Sequence, residues 1–338
     1  MPVRRPEPWL RAVLLLVCAS LCLLAAPASA QSTSHPASPT VQSGPNGPFT
    51  LRTSVSEVAL YATVIDKHQQ LVTNLTQQDF TVKENDVRQT ISSFSQQDVP
   101  VSMAILIDNS GSMAGKRAAV NRAAVDLIRA SNPQDEAFIV NFSDEAYLDQ
   151  DFTSNISLLE KGLSHIDSKG GTALYDAVIA AADHLAKHAK HAKQVILIIT
   201  DGEDNSSSAT LAQTVRRVQA LDGPIVYSIG LLYDESHATA SRAHQALQTL
   251  SDDTGGIAYF PKSLDHVDAV AQQVARDIRL QYILAYHPTE PFSRGGYRSI
   301  QVTAKAKGHG KLIVRTRAGY FAEPHAASGK SSSTPAHP

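Results

Sequence analysis

The chain has 338 residues, a formal net charge of −2 and 43% hydrophobic residues, a composition typical of a globular protein. This nearly neutral balance lacks the basic surface that phosphate backbones require, so we expect no nucleic-acid partner. The length predicts one large domain and a smaller one. The two cysteines, Cys18 and Cys22, lie near the amino terminus, which leaves no cysteine for a disulfide in the remainder of the chain.

The first thirty residues are typical of a signal peptide. Three arginines accompany the apolar stretch 12–26, and Ala28-Ser29-Ala30 matches a small-residue cleavage site. We therefore expect an exported protein, periplasmic or secreted. Because the apolar stretch is too short for a comfortable bilayer span, we expect no stable membrane span after signal cleavage. The absence of disulfides favours a bacterial protein over an animal extracellular one.

Residues 31–49 are rich in serine, proline, glycine and threonine and predict a disordered spacer. Residues 50–97 then show short alternating segments. Val58, Leu60 and Ala62 are apolar at every second position, which predicts a strand with one buried face. Further strands are predicted at 80–84 and 89–94, so this segment is expected to be all β.

Residues 98–280 alternate between apolar strands and helices. Strands are predicted at 101–107, 136–142, 194–200, 225–231 and 257–260, and helices at about 114–130, 156–166, 173–192, 208–221, 241–254 and 264–280. Apolar strands separated by helices form mostly parallel sheets that are covered on both faces. The expected fold is therefore α/β, with a Rossmann-like, doubly wound sheet.

The β pattern returns over residues 281–322, with strands predicted at 282–286, 297–306 and 311–316. We expect this segment to pair with residues 50–97 in a small sandwich-like domain, which makes 98–280 an insertion. Residues 323–338 are again rich in serine, proline and alanine and predict a disordered tail.

Three oxygen-bearing motifs follow predicted strands or precede predicted helices. Asp108-Asn109-Ser110-Gly111-Ser112 follows the strand at 101–107, Thr200-Asp201-Gly202 ends the strand at 194–200, and Gly170-Gly171-Thr172 precedes a helix. Ligands of such sheets bind at the carboxyl ends of the strands. Carboxylates and hydroxyls are hard donors that suit magnesium. Each motif taken alone is also compatible with a helix cap or a turn.

Together the three motifs resemble the von Willebrand factor type A domain, and the flanking β segments resemble those of bacterial secreted proteins that carry it. The resemblance covers about residues 98–280. It implies a metal-ion-dependent adhesion site formed by Asp108, Ser110, Ser112, Thr172 and Asp201. In that family the two serines bind the ion directly, the threonine binds directly or through water, and the aspartates act mainly through water.

The resemblance implies an exported binding or adhesion module and not an enzyme. A Mg²⁺ ion, or Mn²⁺ or Ca²⁺, would be bound, and a carboxylate from an unidentified protein or other acidic ligand would complete its coordination. One alternative is a structural protein of the cell envelope in which the metal only stabilises the fold. A second is a serine hydrolase with Ser110 as nucleophile and His165 or His184 as base, although no Gly-x-Ser-x-Gly elbow is present.

The segment 184–191 contains a further candidate for metal binding. His184, His188 and His191 have the spacing of one helix face, but lysines lie between them. Because the lysine charges oppose a cation, a solvated helix face is the expectation.

Overall fold

The computed structural model describes residues 57–165, 168–221 and 223–322. The predicted signal peptide (1–30), spacer (31–49) and tail (323–338) lie outside these ranges. Within them, no helix combines the length and the apolar character needed to cross a bilayer.

Four strands precede the α/β region: β1 (Val58–Ile65), β2 (Phe80–Glu84), β3 (Val87–Gln89) and β4 (Ile91–Ser95). The alternation in β1 buries Val58, Leu60 and Ala62, as the pattern predicts. Between β2 and β3 the chain turns at Asn85 and Asp86, whose φ angles are +47° and +64°. Two successive positive φ values match a type I′ hairpin turn, for which Asn and Asp are suitable residues.

The α/β region contains six strands and six helices. The strands are β5 (Val101–Asp108), β6 (Glu136–Phe142), β7 (Ala146–Thr153), β8 (Lys193–Thr200), β9 (Ile225–Gly230) and β10 (Ala258–Tyr259). The helices are α1 (Arg117–Ala130), α2 (Ile156–Leu163), α3 (Leu174–His188), α4 (Leu211–Ala220), α5 (His237–Thr254) and α6 (Val267–Arg279).

The six strands form one sheet in the order β10-β9-β8-β5-β6-β7. All neighbouring pairs are parallel except β6 and β7. The predicted α/β class with a mostly parallel sheet is therefore confirmed. Every residue of β5 is buried, because one apolar cluster that includes α1 and α6 covers one face and a second that includes α3 and α4 covers the other.

Besides shifts of a few residues at several other element ends, an edge strand and the end of one helix differ from the sequence prediction. β7 was not predicted; it is an antiparallel edge strand whose residues Tyr147 and Leu148 are 55% and 50% exposed. Its mixed polar sequence lacks the apolar run that revealed the buried strands. Helix α3 ends at His188 and not at 192, because Ala189 adopts an extended conformation with φ −62° and ψ 135° and leads into β8.

The chain then forms β11 (Tyr282–Tyr286), β12 (Tyr297–Ala304), β13 (Ile313–Arg315) and β14 (Gly319–Phe321). These strands join the four amino-terminal ones in two sheets, ordered β13-β1-β11-β4 and β14-β12-β2-β3. A common apolar core contains residues from both segments, among them Leu60, Val82, Tyr282 and Val302. A buried ion pair, Glu84 with Arg298 at 3.0 Å, also joins the two segments.

The two ends of the α/β region lie side by side on this sandwich. Ser95, the last residue of β4, pairs with Ile283 of β11. The Arg279 guanidinium lies 2.9 Å from the Asp98 carboxylate, and the Gln96 side chain donates to the Leu280 carbonyl at 3.3 Å. The α/β region thus leaves and re-enters the sandwich between adjacent strands.

Candidate metal site

The three motifs meet at the carboxyl edge of the parallel sheet, between β5 and β8. The chain winds in opposite directions on the two sides of this point, and such a switch point forms a crevice at the strand ends. Asp108 is the last residue of β5, and Asp201 directly follows β8. Both side chains are fully buried, so two carboxylates lie in the crevice out of contact with bulk water.

Asp108 is held by two hydrogen bonds. Its Oδ1 accepts from the Ser110 backbone N–H at 2.8 Å, and its Oδ2 accepts from the Thr200 hydroxyl at 2.5 Å. Burial raises the pKa of Asp108 to about 6, although these hydrogen bonds act in the opposite direction. Burial disfavours the ionised form of this carboxylate, so a cation in the crevice would stabilise that form.

Ser110, Ser112 and Asp201 form a chain of oxygen atoms. The two serine Oγ atoms are 3.1 Å apart, and the Ser112 hydroxyl donates to Asp201 Oδ1 at 2.8 Å. Adjacent ligands of an octahedral magnesium ion, each at about 2.0–2.1 Å from it, lie about 3 Å from one another. The spacing of these three side chains therefore fits neighbouring positions around one such ion.

Thr172 belongs to the loop before α3, and its backbone is fixed by Asn205. The Thr172 N–H donates to Asn205 Oδ1 at 2.8 Å, and the Asn205 N–H donates back to the Thr172 carbonyl at 3.0 Å. A methyl group built on Gly202 would lie 3.9 Å from the Thr172 hydroxyl. The Gly111 N–H donates to the Gly170 carbonyl at 3.4 Å, so all three predicted motifs are in mutual contact.

Two acidic residues that were not assigned to the site hold its loops. Asp144 accepts a hydrogen bond from the Gly171 N–H at 2.7 Å, and Asp204 accepts one from the Tyr175 N–H in the first turn of α3 at 2.9 Å. Both use backbone donors, so their effect is to order the loop that carries Thr172. Asp144 follows the strand predicted at 136–142, but its partner depends on tertiary contact.

Sequence reasoning missed two basic residues at the start of α1. The Lys116 ammonium lies 2.8 Å from Asp201 Oδ2, and its side chain is only 11% exposed. Burial by itself would lower the pKa of Lys116, but the Asp201 carboxylate outweighs this effect and raises it. The sequence did contain a usable signal. Cations at the amino terminus of a helix are unfavourable unless an anion lies nearby, so two basic residues at the start of α1 indicate an acidic partner.

The second missed residue, Arg117, is 1% exposed and lies beneath Asp108. It donates to Asn141 Oδ1 at 2.8 Å and to the Asp108 carbonyl at 3.4 Å. Burial lowers its pKa to about 10, while the Asp108 charge acts in the opposite direction. The arginine remains a cation at neutral pH and partly balances the carboxylate above it.

The donor set suits a hard cation. Across the described ranges, no three His, Cys, Asp or Glu side chains are grouped in a way that could hold a metal. An ion at the crevice would therefore use the hydroxyls of Ser110, Ser112 and Thr172 besides the carboxylates of Asp108 and Asp201. Hydroxyl and carboxylate oxygens are ligands of magnesium, manganese and calcium.

The histidines proposed as hydrolytic bases have other partners. His165 Nδ1 lies 2.6 Å from Asp149 Oδ1, and His184 Nε2 lies 2.8 Å from Asp151 Oδ1. The Ser110 hydroxyl instead pairs with Ser112. The crevice therefore contains a serine without the histidine contact that activates a nucleophile.

The predicted histidine face includes His184 and His188 on α3, but the prediction that His191 shares it was wrong. His191 lies beyond the end of α3, and its Nε2 is 2.9 Å from the Gln134 carbonyl. His184 packs against Phe152, with ring centroids 5.5 Å apart, and against His188 at 4.6 Å. The helix ended earlier than the spacing predicted, so the three rings do not share a face.

Residues 103–203 match the family model of the von Willebrand factor type A domain. The resemblance predicted from the sequence is confirmed over these residues. The matched segment includes most of β5, all of β8 and the three motifs of the crevice.

Mouse inter alpha-trypsin inhibitor heavy chain 4 is 26% identical over 186 residues, which cover 50% of this chain and 19% of that protein. The bovine inter-alpha-trypsin inhibitor heavy chain H4 is 25% identical over 176 residues, 47% of this chain and 18% of that protein. The chain thus spans about a fifth of the length of the curated relatives that it matches.

Among solved structures, a von Willebrand factor type A protein from Catenulispora acidiphila has a TM-score of 0.48 and 14% identity, covering 71% of this chain and 73% of that one. Proximal thread matrix protein 1 from mussel byssus, with a zinc-occupied metal-ion-dependent adhesion site, has a TM-score of 0.46 and 14% identity. That likeness covers 58% of this chain and 50% of the mussel protein.

Proposed function

We propose that the α/β region binds a divalent cation, Mg²⁺ or alternatively Mn²⁺ or Ca²⁺, and uses it to bind a carboxylate of a partner. The ion would be held by Asp108, Ser110, Ser112, Thr172 and Asp201. Bound there, it would act as a Lewis acid toward an incoming carboxylate. The partner is a protein or another acidic ligand outside the cytoplasm, in the periplasm or beyond the cell.

The spacing of the oxygens supports this proposal most directly. The distance of 3.1 Å between the Ser110 and Ser112 hydroxyls and that of 2.8 Å between Ser112 and Asp201 suit adjacent ligands of one small ion. Hydrogen bonding alone also produces such distances, so the proposal rests on the convergence of hydroxyls and carboxylates from three separate loops and on the metal titration described below.

The proposed role is binding and not catalysis. A site with few direct charged ligands leaves the ion electrophilic and leaves room for an external oxygen. A Ser-His-Asp mechanism would need a histidine at the Ser110 hydroxyl, whereas His165 and His184 pair with Asp149 and Asp151.

Thermal unfolding of the chain without its predicted signal peptide, residues 31–338, tests the metal site. The melting temperature is measured in EDTA and then with an excess of Mg²⁺, Mn²⁺ or Ca²⁺. A ligand at one hundred times its Kd stabilises the folded state by about 2.7 kcal/mol, so we expect a rise of several degrees with at least one ion. The Asp108→Ala variant should show no such rise.

Asp126→Ala is the matched control, because Asp126 lies on α1 about 13 Å along the helix axis from its start. It should retain the metal response of the wild type. A wild-type protein with no response to any of the three ions, by melting temperature or by calorimetric titration, would contradict the proposal.

Adding a carboxylate distinguishes the proposed binding role from the structural alternative, in which the ion only stabilises the fold. A glutamate-containing peptide or acetate at high concentration should bind the metal-loaded protein and not the EDTA-treated protein. A metal response without any carboxylate binding or partner recruitment would instead favour a structural role in the cell envelope.

A further inference from the structure

Lys116 lies between two carboxylates at the rim of the crevice. Its ammonium is 2.8 Å from Asp201 Oδ2 and 3.7 Å from Asp234 Oδ2. The ring of Tyr233 lies beside it, with the centroid 5.5 Å from Nζ. The Asp201 side chain is fully buried, whereas that of Asp234 is 62% exposed, so the two anions offer a buried and a solvated position for the same cation.

The buried charges of the crevice already balance without a metal ion. Asp108 and Asp201 supply two negative charges, and Lys116 and Arg117 supply two positive ones. A divalent ion next to Asp201 would therefore add uncompensated charge in a buried place, where repulsion between cations is strong. Moving the lysine ammonium away from Asp201 relieves this repulsion.

Asp234 provides a second carboxylate for the displaced ammonium. It belongs to the short 3-10 turn Leu232–Asp234 after β9, on the solvent side of Lys116. A lysine side chain is flexible and carries a compact charge, so it can exchange one carboxylate for another nearby without moving the backbone. Arg117 lacks this freedom, because its guanidinium is enclosed by Asn141 and backbone carbonyls.

We propose that Lys116 is a tethered counter-cation that occupies the Asp201 side of the site in the metal-free protein and moves to Asp234 when a divalent ion binds. This inference rests on the proposed function. Lys116 would lower the affinity of the site for metal and so set the ion concentration at which it fills. Once moved, it places a positive charge on the rim that an acidic partner approaches.

The test is a titration of the full chain with Mn²⁺, followed by calorimetry and by the electron paramagnetic resonance of free Mn²⁺. Lys116→Met keeps the length of the side chain and removes its charge, and it should bind Mn²⁺ at least about tenfold more tightly than wild type. Lys116→Gln should do the same. Lys187→Met, which removes an exposed lysine of α3, is the charge-matched control and should bind like wild type.

Asp234→Asn tests the second position of the ammonium. With only Asp201 left as its anion, the lysine should resist displacement, and Mn²⁺ should bind severalfold more weakly. In the Lys116→Met background the same Asp234→Asn change should have little further effect, because no ammonium remains to be accommodated. An equal loss in both backgrounds would overturn the role of Asp234.

Lysine labelling supplies a readout that does not depend on affinity. Reductive methylation followed by peptide mass spectrometry should modify Lys116 faster with Mn²⁺ than with EDTA, and Lys187 equally in both. Unchanged labelling of Lys116 on metal binding would overturn the movement.

The outcomes separate this inference from the proposed function. If the wild type binds Mn²⁺ with the same affinity as Lys116→Met and Lys116→Gln, the metal site is supported and the competition by Lys116 is overturned. Mn²⁺ binding by the two Lys116 variants alone supports the competition but overturns the movement to Asp234, because no ion then displaces the lysine in the wild type. Absence of binding in wild type and both variants overturns both proposals. If Lys116→Met fails to fold, Lys116→Gln and Asp234→Asn provide the same comparison.

Discussion

The two carboxylate oxygens of Asp201 have different partners. Oδ1 accepts from the Ser112 hydroxyl and Oδ2 from the Lys116 ammonium, each at 2.8 Å. Because the carboxylate is fully buried, these two contacts replace the water that would otherwise solvate it. The lysine depends on the carboxylate in turn, since its own side chain is nearly buried.

We therefore predict that Asp201→Ala weakens metal binding and also destabilises the metal-free protein. Removing one partner of a buried ion pair leaves an uncompensated charge, which costs roughly 3 kcal/mol. Urea unfolding in EDTA measures this loss. The double variant Asp201→Asn with Lys116→Met should recover much of it, and a double variant as unstable as Asp201→Ala would contradict the explanation.

Lys193 is a second buried lysine, at the start of β8, where the α/β region meets the sandwich. Its ammonium donates to the Ile278 carbonyl and lies 5.3 Å from the centroid of the Tyr61 ring. Burial lowers its pKa to about 8, while Asp98 and Asp135 act in the opposite direction. The folded protein thus holds this proton less tightly than the unfolded chain does.

The sign of the pH effect follows from this difference. Between pH 8 and the ordinary lysine value near 10.4, the unfolded state binds more protons, so the free energy of unfolding should rise with pH. Relative to Lys193→Met, the wild type should gain up to about 2 kcal/mol between pH 8 and 9.5. Urea unfolding of both proteins across this range checks the prediction; a constant difference would refute it.

At the scale of elements, the buried strands were predicted well and the edge was not. The runs at 101–107, 136–142 and 194–200 are apolar because both faces of β5, β6 and β8 are covered by helices. The edge strand β7 needs no such run, since none of its residues is fully buried. Its existence depends on pairing with β6, which local sequence does not reveal.

The predicted end of α5 at residue 254 is confirmed, and Gly255 gives the physical reason. Gly255 has a φ of +92° and ends the helix in the left-handed conformation. A methyl group at this position would also lie 2.5 Å from the Arg317 backbone nitrogen, in the segment between β13 and β14. The glycine thus ends the helix and also allows the backbone of the sandwich to approach closely.

We predict that Gly255→Ala destabilises the protein by about 2 kcal/mol, of which about 1 kcal/mol comes from the positive φ and the remainder from the contact with Arg317. Chemical denaturation measures the change. Gly310→Ala, at a position where nothing lies within 4 Å of the added methyl group, is the control and should be close to neutral. Equal effects at the two positions would contradict the contact argument.

At the scale of the whole molecule, the sandwich is assembled from two segments that are distant in the sequence. β11 lies between β1 and β4, and β12 lies between β2 and β14. Neither segment alone contains a complete sheet, so the sandwich requires both sides of the inserted α/β region. The adjacency of Ser95 and Ile283 brings the two connections to the α/β region side by side.

We predict that the α/β region can be excised. Replacing residues 97–281 by a four-residue turn should join β4 to β11 as a hairpin, because these strands are already antiparallel neighbours. The expected product shows a cooperative unfolding transition and a β-type circular dichroism spectrum. A chain truncated after residue 280 is the comparison; it keeps β1–β4 but lacks their partners, and its sandwich segment should not fold. An excised chain that remains unfolded would refute the prediction.

The sequence by itself determined the fold class and the meeting of three motifs. Apolar runs separated by helical segments require a covered parallel sheet, and parallel strands end at one edge, so residues such as Asp108 and Asp201 are brought together by the topology alone. Tertiary structure decided which other groups reach that edge. Lys116 and Arg117 are consecutive in the sequence, yet one points to Asp201 and the other to Asn141. The physical reason is that strand ends are set by local periodicity, whereas the partner of a buried charge depends on how α1 packs across the sheet.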